Sequence, residues 1–371
     1  MKAGKLSESV LKRSVLKQLH TDHVAGNATL DETMATHIVT KPQIGADYAA
    51  AQLNRKCAGG SNAKAGKSPA GADIHTPDSI AEGTSVVSAM ATRCLGGSLN
   101  PMLSVYAALN NLYCSGAEAY GIMVNLLLPT SANENDLREW VKMIDATCAK
   151  EGIAVLGGHT EVVRAVNEPV VTVTALGTVA EEKRIGVGAV KPGMDILITK
   201  QIALEGTAIL ATQHEQELLG RYAAPFIDRA KRFIDYLSIR SEAAVAAKSG
   251  VAAMHDISEG GVFGALWEMG QSSGVGLEID LKKIPIRQET VEICEFFDLN
   301  PYKLLSGGSL LLVAEDGNAV VQAIEKSGGK AVIIGRTTAG NDRVILNGEE
   351  RRFLETTQTD ELWKLEKTGG N

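Results

Sequence analysis

The stretch Gly152-Ile153-Ala154-Val155-Leu156-Gly157-Gly158-His159-Thr160-Glu161 constrains the fold more than any other. Its apolar run, Ile153 to Leu156, predicts a short buried strand that stops at two glycines before a polar triplet. Paired glycines allow positive φ and let a ligand come close to the backbone. Ligands of α/β folds gather where strands stop, so the triplet is a candidate site. Taken alone, the same residues also fit a plain strand and tight turn.

With 371 residues the chain is long enough for two domains. It is 44% hydrophobic but only 4% aromatic, with 38 glycines, which suits close-packed, turn-rich α/β layers better than an aromatic binding module. The net charge is −7 and no basic tract occurs, so nucleic acid is not expected as a main partner. Five scattered cysteines without a C-x-x-C pair fit a reduced, cytoplasmic protein lacking an obvious zinc site. No apolar run approaches the roughly 18 residues of a membrane span, and no apolar core follows the basic Met1–Lys5 start as a secretory signal would require.

Leu6–Leu19 has the spacing of an amphipathic helix. His20, Asp22 and His23 after it read as a polar loop. A short strand, His37–Thr40, is followed by Lys41-Pro42-Gln43-Ile44-Gly45-Ala46-Asp47. An aspartate after a glycine turn suits magnesium beside phosphates. Residues 57–83 form a long loop in which Ala65-Gly66-Lys67-Ser68 imitates a phosphate loop. The required first glycine is Ser61, and Pro69 interrupts the helix that should follow.

Strand Thr84–Leu95, helix Asn100–Ser115 (carrying Asn110 and Asn111), strand Ala119–Leu128, helix Asn133–Lys150, the glycine strand and strand Val170–Val179 complete a β-α-β-α-β-β half. The charged, turn-rich segment from Glu181 to Gly193 marks a boundary. The second half again alternates strands and helices, ending with strand Val332–Thr337. Within it, Asp256-Ile257-Ser258-Glu259-Gly260-Gly261 ends a strand and opens a helix whose free N–H groups would attract an anion. Ser306-Gly307-Gly308-Ser309 is a glycine bend before a buried strand.

These segments, in this order, resemble those of the aminoimidazole ribonucleotide (AIR) synthase-related superfamily. Gly45-Ala46-Asp47-Tyr48-Ala49 is similar to its G-[DE]-D-A-A segment. Leu109-Asn110-Asn111-Leu112 with Ser115-Gly116-Ala117 resembles its N-D helix, and Gly157-Gly158-His159-Thr160 its G-[GD]-[HDE]-T strand end. Lys191-Pro192-Gly193 resembles its linker, Asp256–Gly261 its D-x-[ST]-x-G-G turn, and Asn300–Leu311 its D-P segment. The opening, Ala3–Leu11, is most similar to the hydrogenase maturation (carbamoyl dehydratase) branch.

The resemblance implies an α+β fold with an N-terminal ATP-binding and dimerisation domain, 1–182, whose sheet and helices close a barrel across a homodimer. A C-terminal α/β sandwich, 183–371, follows. It implies ATP and Mg2+ as cofactors and phosphoryl transfer to an oxygen of a small-molecule substrate, with a maturation partner protein. Asp47 and Asn111 become metal ligands. Lys41, Asp47, Asn111, Gly157, Gly158 and Thr160 become nucleotide contacts, and Asp256 and His159 catalytic residues. Asn111 stands where the superfamily has an aspartate, and a histidine is a poor magnesium ligand. The expected threonine-aspartate strand has only Asp73 and Asp78 as candidates. No cysteine follows Cys294, so the tail-cysteine chemistry of the maturation branch is not expected, and a non-catalytic nucleotide- or metabolite-binding protein is the alternative.

Overall fold

The computed structural model describes residues 83–356 and 359–366, with 36–38 and 48–53 of the preceding segment; for 36–38, 51–53 and 366 only the backbone is considered. The expected helix Leu6–Leu19, Lys41, Asp47 and the loop from 57 to 82 lie outside the described residues.

Among the described residues the first half contains β1 (Thr36–Ile38), β2 (Ala49–Leu53), β3 (Thr84–Arg93), α1 (Asn100–Tyr113), β4 (Glu118–Leu128), α2 (Glu134–Glu151), β5 (Ala154–Val162) and β6 (Val170–Ala180). The strands form one six-stranded sheet in the order β1-β2-β3-β6-β4-β5. Strict alternation gives this sheet two unlike faces. Val171, Val173 and Ala175 of β6 are buried, while Thr172 and Thr174 face outward. The apolar face is covered by α1, which begins at a proline suited to a first turn and is buried on almost every side. Helix α2 is capped by the Asn133 side chain, which accepts the Asp136 N–H, and ends at Gly152 in the left-handed region, φ 67°.

The second half contains β7 (Asp195–Thr199), α3 (Leu204–Gln213), α4 (Glu215–Leu219), α5 (Ala224–Lys231), α6 (Arg240–Lys248), β8 (Ala253–Ile257), α7 (Gly261–Ser273) and β9 (Gly276–Asp280). It continues through α8 (Gln288–Phe296), β10 (Ser309–Ala314), α9 (Gly317–Lys326), β11 (Ala331–Thr338), β12 (Arg343–Asn347), β13 (Glu350–Phe353) and α10 (Trp363–Glu366). Its seven strands run in the order β13-β12-β9-β11-β7-β10-β8. The two sheets share a core: Val87, Leu109, Ile122 and Val173 pack in one cluster with Met254, Leu310 and Leu312. The charged segment between the halves is pinned. Glu181 accepts hydrogen bonds from Ser85 Oγ and Arg184, and the Arg184 bonds hold its carboxyl below the usual range. Tyr48 donates to the Ile185 carbonyl.

Three expectations are corrected. The glycine strand does not stop at Gly157; β5 runs on through Gly-Gly-His-Thr to Val162. Nor is it buried: every residue of β5 is exposed among the described residues, where it is an edge strand with β4 as its one neighbour. Among the described residues of one chain the first sheet is open, and the barrel expected across a homodimer would need a second copy to close it. Val332–Thr337 is not the last strand, since β12 and β13 follow it, and α4, α5 and α8 were not foreseen.

Candidate active site at the interface of the two sheets

Asp256 sits in β8, opposite Leu310 of β10. Alternate residues of a strand face opposite ways: Ala253 and Ile257 enter the core between the second sheet and α7, while Met254 enters the core shared with the first sheet. Asp256 has the parity of Met254. It therefore faces the first half of the chain, and it is only 2% exposed.

Two buried cations feel its charge. Arg93, the last residue of β3, donates from Nε to Glu205 Oε1 of α3 at 2.9 Å. Burial alone would lower the Arg93 pKa, but the charge and hydrogen bond of Glu205, helped by Glu259 and Asp256, hold it above its ordinary value. Lys200 follows β7 at φ 53°; its ammonium donates to the carbonyls of Ser238 and Gly308 and lies 3.3 Å from Glu242 Oε2. Burial pulls the Lys200 pKa down, opposed by Glu242 and, more weakly, by Asp256. Ala203, at φ 59°, is a second left-handed residue in the same short connection. Such strain persists only where surrounding structure enforces it.

The glycines at this interface make room for neighbours. A Cβ on Gly307 would lie 2.0 Å from Glu205 Oε2, and one on Gly308 2.7 Å from the Tyr236 carbonyl. Gly260 and Gly261 have φ of 84° and 62°, and a Cβ on Gly261 would meet the Tyr302 carbonyl at 2.5 Å. The Gly260 N–H, expected to be open to an anion, donates instead to Asp360 Oδ2 at 2.8 Å.

The glycines of β5 behave differently. Neither Gly157 nor Gly158 has positive φ, so the turn predicted from them does not form. A Cβ on Gly158 would stand 2.0 Å from the Val124 carbonyl, so this glycine permits the pairing of β5 with β4, whereas Gly157 meets nothing within 4 Å. His159 pairs with Asn125 and Gly157 with Met123, which places them on the outward face of the sheet. Thr160 has the opposite parity, beside Leu126. His159 is exposed and its Nε2 lies 3.2 Å from Glu161 Oε2. Within one chain, then, His159 and Asp256 lie on different sides of the first sheet. Asn111 is half-buried on α1; its neighbour Asn110 is buried and structural, donating to the Leu237 carbonyl and accepting the Ile239 N–H.

No group of three or more His, Cys, Asp or Glu side chains suited to a metal occurs among the described residues. Asn111 contributes one neutral amide oxygen, so the described residues do not by themselves fit Mg2+. Arg93, Lys200 and Glu205 were missed in the sequence. The available signal was a single arginine ending a run of small and apolar residues, Thr84 to Thr92.

The AIR synthase related N-terminal domain matches residues 85–179 and the corresponding C-terminal domain matches 191–347. The chain belongs to the AIR synthase-related family. A putative hydrogenase expression/formation protein of Methanocaldococcus jannaschii is 28% identical over 248 residues, 66% of this chain and 72% of that protein. A carbamoyl dehydratase HypE of Rhodobacter capsulatus is 25% identical over 243 residues, 64% and 69% of the two chains. A crystal structure of the hydrogenase maturation protein HypE in complex with ATP superposes with a TM-score of 0.63 at 18% identity, covering 74% of this chain and 86% of that one. The mixed α/β, two-domain arrangement is thus that of the AIR synthase-related fold. No helix among the described residues is long and apolar enough to cross a membrane.

Proposed function

We propose that this member of the AIR synthase-related family is an ATP-dependent phosphoryl-transfer enzyme that activates an oxygen of a small substrate, similar to the hydrogenase maturation proteins it resembles. The observation that carries the proposal is Asp256: a buried carboxylate aimed at the junction of the two halves, with Arg93 and Lys200 as electrostatic neighbours. Such preorganised charge is what phosphoryl transfer requires of a protein. Lys41, Asp47, Asn111, Gly157, Gly158 and Thr160 are the nucleotide contacts in this proposal, with Asp47 and Asn111 toward magnesium. The division of domains is placed after residue 182.

The outer face of the first sheet supports a homodimer. Met90 is 66% exposed and Met123 49% exposed, side by side with Thr172, Thr174 and His159. Covering that face with a second copy would bury it and enclose His159. A maturation partner protein and a cytoplasmic setting belong to the same proposal.

The test is magnesium-dependent ATP turnover across candidate oxygen-containing substrates, comparing wild type with Asp47→Ala and Asp256→Asn. The proposal expects both variants to lose turnover by two orders of magnitude or more, and it fails if neither changes it. A second possibility, a nucleotide- or metabolite-binding protein without catalysis, is favoured by the neutral Asn111 and by Asp360 occupying the Gly260 N–H. Calorimetry separates the two: tight ATP binding that magnesium does not improve, without product, selects the second.

A further inference from the structure

Residues 359–366 pack against Gly260, Asn300 and Lys303 of the second half and reach a cluster that includes residues of the first. Leu362 enters the cluster containing Leu95, Leu103 and Leu210. Leu362 and Leu365 also line a cavity of about 220 Å3 with Leu95, Gln213 and His214. The polar anchors are carboxylates. Asp360, 4% exposed, accepts the N–H groups of Gly260 at 2.8 Å and Leu362 at 3.1 Å. Glu361 accepts the Asn300 N–H at 2.8 Å and is paired with Lys364 at 2.5 Å.

These two acids differ in one respect: Glu361 has an ammonium partner, and no cation is paired with Asp360 among the described residues. Its partners are backbone amides, and the nearest charge from the turn it caps, Glu259, repels it. Burial, the largest cause, pushes its carboxyl up to about 7, from roughly 4 for an ordinary aspartate; the backbone N–H groups of Leu362, Gly260 and Leu305 pull the other way, and Glu259 adds to the rise. The other titratable and charged groups packed around the segment are Lys303 before the bend at 304–306, Cys294 on α8, His214 at the end of α3, and Glu361 and Lys364 on the segment itself.

We propose that residues 359–366 form a proton-controlled latch: they dock across the Asp256–Gly261 turn while Asp360 is neutral, and loss of its proton loosens them, uncovering the Gly260 N–H and the adjoining cavity. The sign follows from linkage. A carboxyl whose pKa is higher in the docked than in the undocked state binds more protons when docked. Docking is strongest below the undocked value near pH 4, weakens by about tenfold per pH unit up to about 7, and then levels off. Near neutral pH the latch is at its loosest. This proposal does not depend on the protein being an ATP-using enzyme.

Amide hydrogen exchange of residues 359–366 in the full chain tests it, corrected for the intrinsic pH dependence of exchange, between pH 5 and pH 7.5. Protection of the wild type should fall at least tenfold as pH rises from 5 to 7. Asp360→Asn, permanently neutral, should stay flat, and Leu365→Ala should lose protection at every pH while keeping the wild-type slope. His214→Gln should leave the transition in place, which separates the carboxyl from the nearby imidazole. A flat wild-type profile, a slope retained in Asp360→Asn, or a slope abolished by His214→Gln would each overturn the proposal. The wild-type titration decides the matter alone if Asp360→Asn does not fold.

Discussion

Gly157 and Gly158 are adjacent and chemically identical, yet a methyl group would have opposite consequences at the two positions. At Gly158 it would collide with the Val124 carbonyl at 2.0 Å; at Gly157 it would meet open space. Gly158→Ala should force β5 away from β4 and lower stability by about 1–3 kcal/mol. Gly157→Ala should stay within about 1 kcal/mol of wild type, since it also restricts the unfolded chain. Urea midpoints of the two variants check this, and equal losses would contradict it. The cysteines offer a similar contrast. Cys94 is exposed, whereas burial pushes the Cys148 thiol up to about 11 and the Cys294 thiol up to about 12. Because the thiolate is the reactive form, a thiol reagent at neutral pH should label Cys94 within minutes and leave Cys114, Cys148 and Cys294 untouched until denaturant is added. Comparison with Cys94→Ser by mass spectrometry identifies the site.

At the scale of the elements, α1 joins the halves more than its composition suggests. Asn110 satisfies the Leu237 carbonyl and the Ile239 N–H, just before α6 begins. Removing both bonds leaves two buried backbone groups without partners, so Asn110→Ala should cost about 1–3 kcal/mol by chemical denaturation. Asn111→Ala, on the less buried neighbour, should cost less than half as much. Both residues were conspicuous in the sequence as consecutive amides on one helix, but only packing separates the structural one from the candidate ligand. Strand β6 and the helical spacing of α2 were legible because each has a dry and a wet side, whereas α1, buried on almost every side, was legible from its apolar spacing and the glycine that closes it. Strand β5 was not: an apolar run reads as buried, and whether a neighbour covers it is not local information.

For the whole molecule, the Arg93–Glu205 pair is a buried charged link between strand β3 of the first half and helix α3 of the second. Stripping one partner leaves a buried charge, so Arg93→Ala or Glu205→Ala should each destabilise by about 3–5 kcal/mol, and the double variant by less than their sum. Strict additivity in a double-mutant cycle would show that the two side chains do not interact. The outward face of the first sheet gives the second prediction at this scale. If two copies cover Met90 and Met123, Met123→Asp should convert a dimer to a monomer in sedimentation velocity while the fold persists. A wild-type protein monomeric at tens of micromolar would exclude that arrangement. The order of six short motifs was enough to indicate the AIR synthase-related fold, because glycines and acids at element ends are set by local backbone demands. Arg93, Lys200, Glu205 and Asp360 escaped notice for the converse reason: each is an ordinary charged residue whose importance comes from being buried against a distant segment.

The sequence by itself determined most of the longer strands and helices and the glycine turn at 260–261, since periodicity and φ preference act over a few residues. Only the tertiary structure decided which glycine accommodates a neighbouring chain and which face of the first sheet His159 occupies. It alone showed that the chain's own Asp360 takes the N–H expected to await an anion. Those outcomes depend on burial and on distances between residues far apart in the chain, and no local pattern encodes either.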